Sequence, residues 1–477
     1  MSRLLIRDAE VVLTVDPQDR VLTRQSIVVE DTRVTAIGSA EAIDRRYDPR
    51  AFEDIIDGHG RLVMPGLVDG HLHLSEQLSR GAFPDTLTTR PWVFNWAKPV
   101  YSAMEAEDEY VATLLAGIEM IRTGTTCCLD MGAQADVGAT VRALEAVGIR
   151  AITGRHAADR LPDMVPPHWS REMIERHFFP TAHAALAELE RCVRTYNNAA
   201  GGRIRVWVNI EGKEPCSPEL HVGAPALASR LGVGTTYHIA SSLEEALISE
   251  RKTGRWPVTL LKEWGALRDN LVLAHVVALR DPEIGYLADA GTKVVFCPGA
   301  SLKLAKGATK IGKYPEMIAA GMTVALGCDG PSAGGSLDMM RQMYLAAGLF
   351  KDARMDASLV GATKALRMAT IEGARALLWD DEIGSIEIGK KADLVLMDLD
   401  QYDWVPYADP IQTLVYSAGV NSVDTVLIDG RVVMRERRID TVDEREVYAL
   451  ARERAGRLLE RAGVRVGVTP LVSTVYD

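Results

Sequence analysis

Between Leu67 and Asp329 the chain alternates short apolar runs with longer stretches of helical period. The runs are Leu67–His71, Thr125–Asp130, Arg150–Gly154, Ile204–Ile210, Gly234–His238, Leu271–His275, Lys293–Cys297 and Thr323–Asp329. Helical candidates between them include Glu107–Thr123, Val137–Val147, Glu172–Asn198, Pro218–Leu231, Val258–Gly265, Pro282–Ala290 and Lys313–Ala320. Leu337–Phe350 and Asp356–Leu378 follow the last run. Runs such as Thr-Thr-Cys-Cys-Leu-Asp are apolar nearly throughout, the pattern of a parallel strand buried on both faces. Eight strand–helix units over about 300 residues predict an α/β fold, a (β/α)8 TIM barrel.

The chain ends read differently. Leu4–Ile6, Val11–Val15, Ser26–Glu30 and Arg33–Ile37 predict short strands without helices, separated by turns such as Asp16-Pro17. After Gly384 the β character returns, and the chain closes on a helix over Glu444–Arg461. The expected organisation is a small β-sandwich from both ends, residues 1–62 plus 384–477, around a catalytic barrel at 63–383.

In a barrel of this kind, function gathers at the C-terminal ends of the strands. The first predicted strand ends in His71 and runs on to His73, and i and i+2 share a face in extended chain. The fifth ends in His238, the sixth in His275 and the eighth in Asp329. Any one of these could be a satisfied core residue. Together they put four of the ten histidines, and a carboxylate, at one end of the predicted barrel. Neutral imidazoles and a carboxylate suit one divalent ion, Zn²⁺ by default, although Fe²⁺, Mn²⁺ and Co²⁺ accept the same ligands. Such an ion makes hydroxide available near neutral pH. A neighbouring carboxylate can shuttle a proton, and a further histidine can stabilise a developing oxyanion.

The stretch Val-Met-Pro-Gly-Leu-Val-Asp-Gly-His-Leu-His73, with Tyr-His238, Leu-Ala-His275 and Ala-Leu-Gly-Cys-Asp-Gly-Pro-Ser-Ala-Gly-Gly-Ser-Leu-Asp-Met-Met340, resembles the metal-dependent amidohydrolase superfamily. The nearest branch is the cytosine/guanine deaminase and triazine hydrolase group. Terminal segments such as Ile383–Leu399 resemble that family's sandwich. The resemblance implies His71, His73, His238 and Asp329 as ligands of one metal, His275 as the substrate-facing catalytic histidine, and Asp329 as the catalytic proton shuttle. It also implies a small-molecule substrate and a homo-oligomer.

One position departs from the branch. Its deaminases carry a Glu three residues after the strand-5 histidine, to protonate a ring nitrogen. Here the run is His238-Ile-Ala-Ser241, with Glu244 and Glu245 a turn further on, where a helix surface is expected. A hydroxyl is no acid near neutral pH. The sequence therefore points first to hydrolysis of an amide, urea, carbamate or thiocarbamate, similar to the phenylurea and molinate hydrolases. Deamination or dechlorination of a purine, pterin or triazine is the alternative. An inactive binding barrel is a third reading, against which the complete ligand set stands.

Weaker candidates for substrate contact are Gln77, Trp92 and Trp96 after the first strand, His156 after the third, Lys213 after the fourth, and Ser241, Ser301 and Lys303. Trp92, Phe94 and Trp96 could form an apolar lid or pack as core. Lys213 stands near where binuclear relatives carry a carbamylated lysine, which raises the question of a second metal. His59 reads as a turn residue, and His168, His177, His183 and His221 lack strand-end placement.

A net charge of -11 argues against nucleic acid and anionic membranes as partners. The first residues alternate polar and apolar, without the unbroken apolar core of a secretion signal. The six cysteines show no Cys-x-x-Cys spacing, so the reduced cytoplasm is the expected compartment.

Overall fold

Nine segments of parallel strand follow one another through the middle of the computed structural model, which describes residues 2–465. Leu67–Leu72, Thr125–Asp130, Arg150–Thr153 and Ile204–Val206 form a four-stranded sheet in that order. Val208–Gly212, Thr235–Ile239, Leu271–His275, Lys293–Phe296 and Val324–Leu326 form a five-stranded sheet. The predicted strand Ile204–Ile210 is thus divided at Trp207. Trp207 N–H donates to Thr153 C=O at 2.9 Å, while Val208 N–H donates to Gly234 C=O at 3.1 Å. The chain changes pairing partner there, from the strand before it to the strand after it.

The last run also meets the first: Asp329 N–H donates to His71 C=O at 2.9 Å. Two glycines allow that approach. A Cβ on Gly70 would lie 2.9 Å from Leu326 O, and one on Gly327 would lie 2.8 Å from His71 O.

Local signals explain the helices. Val137–Val147 starts on Asp136, whose carboxylate accepts from Ala139 N–H, and stops at Gly148, where φ is 87°. Pro218–Leu231 starts on Ser217 and stops at Gly232, where φ is 68°. The expected helix Glu172–Asn198 is two helices, Arg171–His177 and Ala182–Tyr196. Pro180 lies in the break, and Thr181 Oγ1 then caps the second by accepting from Ala184 N–H. Asp356–Leu378 likewise divides into Ala362–Met368 and Ile371–Ala376, where Thr370 leaves helical geometry.

The two chain ends meet in one nine-stranded sheet. Leu394–Asp398 pairs antiparallel with Arg61–Pro65, with Leu396 opposite Val63, and this seam joins the C-terminal strands to the N-terminal ones. The predicted strands Leu4–Ile6 and Val11–Val15 are one strand, Arg3–Leu13, with a bulge between Ile6 and Ala9 where Asp8 takes φ 54°. The N-terminal unit is not free of helix, because Ser39 caps a short one at Ala40–Arg46.

Arg150, 1% exposed, ties this sheet to the parallel strands. Its Nε donates to Asp393 Oδ2 at 2.6 Å, and Nη2 donates to Asp393 Oδ1 and Asp429 Oδ1, each at 3.0 Å. All six cysteines are buried and free. No helix among the described residues is long and apolar enough to cross a membrane.

Candidate metal centre and active site

His71 and His73 leave the end of Leu67–Leu72 on one side of extended backbone, with ring centroids 5.2 Å apart. His238 lies in Thr235–Ile239, and His275 is the last residue of Leu271–His275. His275, Val276 and Asp329 take φ of 73°, 54° and 63°, a left-handed conformation that costs non-glycine residues energy. Such outliers cluster where surrounding structure holds a side chain to a task.

Buried nitrogens and oxygens converge on one point. His73 Nε2 lies 3.1 Å from His238 Nε2 and 3.5 Å from Asp329 Oδ1. His71 Nε2 lies 3.7 Å from Asp329 Oδ1, and His275 Nε2 lies 3.6 Å from Asp329 Oδ2. Two ligands of a tetrahedral ion with arms of about 2.0–2.1 Å stand about 3.3 Å apart, so these separations fit one ion. Both ring nitrogens of His71, and Nδ1 of His73, are buried without a hydrogen-bond partner. Such orphaned atoms are costly unless a bound group from outside the protein satisfies them. His238 Nδ1 donates to Glu211 C=O at 2.5 Å, which leaves its Nε2 lone pair facing inward.

Electrostatics agree with a ligand set. Burial holds His71, His73, His238 and His275 below the ordinary histidine pKa, so each is a neutral imidazole at pH 7. Burial pushes the Asp329 carboxyl up, but Lys306, His71 and His275 outweigh it and hold it well below the usual range.

His73, His238, His275, Lys306 and Asp329 open on a cavity of about 860 Å³ of empty space, its mouth included, and His71 is buried behind them. Trp92, His156, Lys213 and Ser241 line it, as do Val93 and Phe94. His156 Nδ1 bonds the Gln134 side chain, and its Nε2 is buried without a partner. The structure puts the other candidates elsewhere. Gln77 donates to Glu119 at 2.9 Å and accepts from Arg80 at 2.5 Å. Trp96 packs on Phe83, with ring centroids 5.9 Å apart. Ser301 Oγ accepts from Ala308 N–H at 3.2 Å, and Lys303 Nζ donates to Ser332 C=O at 2.5 Å, so both brace their loop. Lys213 belongs to neither group of close metal-capable atoms, which are His71 with His238 and His275, and His71 with His73 and Asp329.

Glu244 and Glu245 line the cavity too, instead of lying only on a helix surface. Glu245 accepts from Ala240 N–H at 2.9 Å and Ser241 N–H at 2.8 Å, so its carboxylate sits on the backbone of the departing residue.

Sequence reasoning missed five residues. Glu211 lines the cavity; its carboxylate is bonded to buried Lys98 and, at 2.9 Å, to His177 Nε2. Glu211 is the penultimate residue of Val208–Gly212, as His238 is of Thr235–Ile239, so the rule that found His238 would have found it. Glu76 follows His73 by three residues and bonds Tyr101 and Ser332; burial pushes its carboxyl up to about 7. Lys306 Nζ lies 3.0 Å from His275 Nε2. Nothing in the periodicity marks Lys98 or His177.

Residues 62–433 match the amidohydrolase family. A 5-methylthioadenosine/S-adenosylhomocysteine deaminase of Caldanaerobacter subterraneus is 36% identical over 93% of this chain and 96% of its own. A 5'-deoxyadenosine deaminase of Methanosarcina mazei is 33% identical over 97% of this chain and 99% of its own. Among solved structures, an adenosine deaminase of Xanthomonas campestris with bound zinc superimposes with TM-score 0.84. It is 28% identical, and the match covers 96% of this chain and 99% of that one. A triazine hydrolase from Arthrobacter aurescens has TM-score 0.84 at 24% identity over 96% of this chain and all of that one, which shows a shared fold.

Proposed function

The chain belongs to the amidohydrolase family, and from that premise we propose that it is a hydrolytic deaminase of an amino-substituted N-heterocycle of the adenine-nucleoside class. That it hydrolyses carbon–nitrogen bonds other than peptide bonds follows from the family and its deaminase relatives. Those relatives favour the deaminase alternative over amide, urea or thiocarbamate cleavage as the main activity. The observation that carries the reading is the convergence of His71, His73, His238 and Asp329, three of which line the cavity while His71 is buried behind them. The reading also takes the parallel strands as a closed barrel over 63–383, with 1–62 and 384–477 as the accessory domain.

Those four residues would hold one divalent ion, with zinc, found in the adenosine deaminase neighbour, as the default. When bound, such an ion lowers the pKa of water towards neutrality and makes hydroxide available. Asp329 accepts the proton of the attacking water and returns it to the departing nitrogen. His275 donates to the oxygen as it bonds to carbon. Glu211 fixes the tautomer and angle of His238 through its carbonyl. Trp92, Val93 and Phe94 give a flat ring apolar surface to lie on.

Ser241 favours a second reaction class. A carbonyl substrate needs no ring-nitrogen acid, and Ser241 cannot be one. A product assay separates the two. Ammonia release from 5-methylthioadenosine or S-adenosylhomocysteine, with conversion to the 6-oxo product, is expected. Amine release from a phenylurea or anilide panel, with no ammonia from any aminopurine nucleoside, would overturn the deaminase reading.

A further inference from the structure

Lys306 is a buried cation that neither the metal set nor the deaminase steps use. It is 4% exposed, and it lines the cavity. Its Nζ lies 3.0 Å from His275 Nε2, 3.4 Å from His275 Nδ1 and 3.5 Å from Asp329 Oδ2. The loop is bent to hold it there. Ala305 takes φ 49°, a strained value for alanine, and Gly307 takes φ 85°. Lys306 N–H donates to Ser301 C=O at 3.0 Å, and Ser301 Oγ accepts from Ala308 N–H.

A desolvated ammonium has three donors and is costly to bury without partners. Here, among the described residues, a neutral imidazole is its one partner within ordinary hydrogen-bond distance, and the carboxylate stands off at 3.5 Å. A lysine kept only for structure would close on a carboxylate, as Lys98 does on Glu211. Lys306 instead keeps donor capacity beside the two side chains that handle the reacting atoms.

We propose that Lys306 is a catalytic residue: with His275 it forms a pair of donors for the oxygen that gathers negative charge at the reacting carbon. The proposal rests on the carbonyl reaction class. There, the hydroxide oxygen bonds to the carbonyl carbon, and the C=O π pair moves onto its oxygen. Lys306 donates to that oxygen from Nζ, and His275 donates from whichever ring nitrogen is not accepting from Lys306. When the pair returns, the C–N bond breaks with its electrons on nitrogen, which takes the proton from Asp329. At an aminopurine carbon the displaced pair moves to the ring nitrogen instead, away from this oxygen. Lys306 therefore matters most for a carbon that already bears oxygen, and it makes the chain competent for urea and amide bonds.

The test uses full-length, metal-loaded Lys306→Met and Lys306→Arg proteins with metal content and thermal midpoint checked against the parent. Three quantities are read: amine release from a phenylurea, ammonia release from 5-methylthioadenosine, and inhibition by N-phenyl methylphosphonamidate, an anionic tetrahedral mimic. Lys306→Met is expected to lower kcat on the phenylurea about 100-fold with little change in KM, and to weaken the mimic about 100-fold. Ammonia release should fall by no more than about tenfold, and Lys306→Arg should recover much of the phenylurea activity. Equal losses on both substrates, or a mimic that binds the parent and Lys306→Met alike, overturn the proposal. If the parent cleaves no phenylurea, mimic binding alone decides. Failure of ammonia release counts against deamination and leaves Lys306 standing.

Discussion

Asp329→Asn is expected to lower kcat about a thousandfold while the protein stays folded, within the range that loss of a positioned acid–base group produces. Asparagine keeps the volume of the side chain and one oxygen towards His71 and His73, at the 3.7 and 3.5 Å positions of Oδ1. It cannot accept the proton of the attacking water or pass one to the leaving nitrogen. Removing the carboxylate also takes away the anion 3.5 Å from Lys306, and substrate affinity should change less than kcat. Steady-state kinetics with 5-methylthioadenosine check this. A variant with unchanged kcat would remove Asp329 from the chemistry and leave it a ligand at most.

Arg150→Met is expected to be the most damaging change far from the cavity, costing about 3–5 kcal/mol of stability. Burial opposes the guanidinium charge, but Asp393 and Asp429 outweigh it and hold its pKa above the ordinary arginine value. Methionine fills most of the space and abandons Asp393 at 3% side-chain exposure, an uncompensated buried carboxylate. Asp393 also accepts from Asp429 N–H at 2.7 Å, so the turn at Asp429 should loosen with it. The shift in urea midpoint measures the cost. A change below about 1 kcal/mol would mean the pair is no stronger than a surface ion pair. Turnover per folded molecule should be unchanged, because Arg150 lies at the opposite end of its strand from His156.

The strand ends were legible because the signal is local. An apolar run buried on both faces, closed by a histidine or aspartate, needs no partner to be recognised, and His71, His238 and His275 stand at such ends; the predicted strand Thr323–Asp329 is shorter, Val324–Leu326, and Asp329 follows it by three residues in left-handed backbone. Glu211 obeys the same rule, one residue before the end of Val208–Gly212. The loop after Phe296 shows what periodicity cannot give. Motif resemblance pointed to Ser301 and Lys303, yet the bend at Ala305 and Gly307 turns Lys306 into the cavity and leaves Lys303 on a backbone carbonyl. That outcome depends on two backbone conformations, one of them at an alanine. The division of Ile204–Ile210 at Trp207 is likewise tertiary, since it follows from a change of hydrogen-bond partner. The helix break at Pro180 is a local signal, since proline cannot continue the helix. The missing acid at Ser241 remains informative: the neighbouring Glu245 is engaged with backbone N–H groups, so it does not simply replace the lost side chain.

Metal analysis of the purified chain, beside His71→Ala and His238→Ala, tests most directly that one ion is held by His71, His73, His238 and Asp329. One equivalent of divalent metal per parent chain is predicted, with most of it lost in each variant together with turnover. Two equivalents in the parent, or full metal content retained in either variant, would contradict a single site built on these residues.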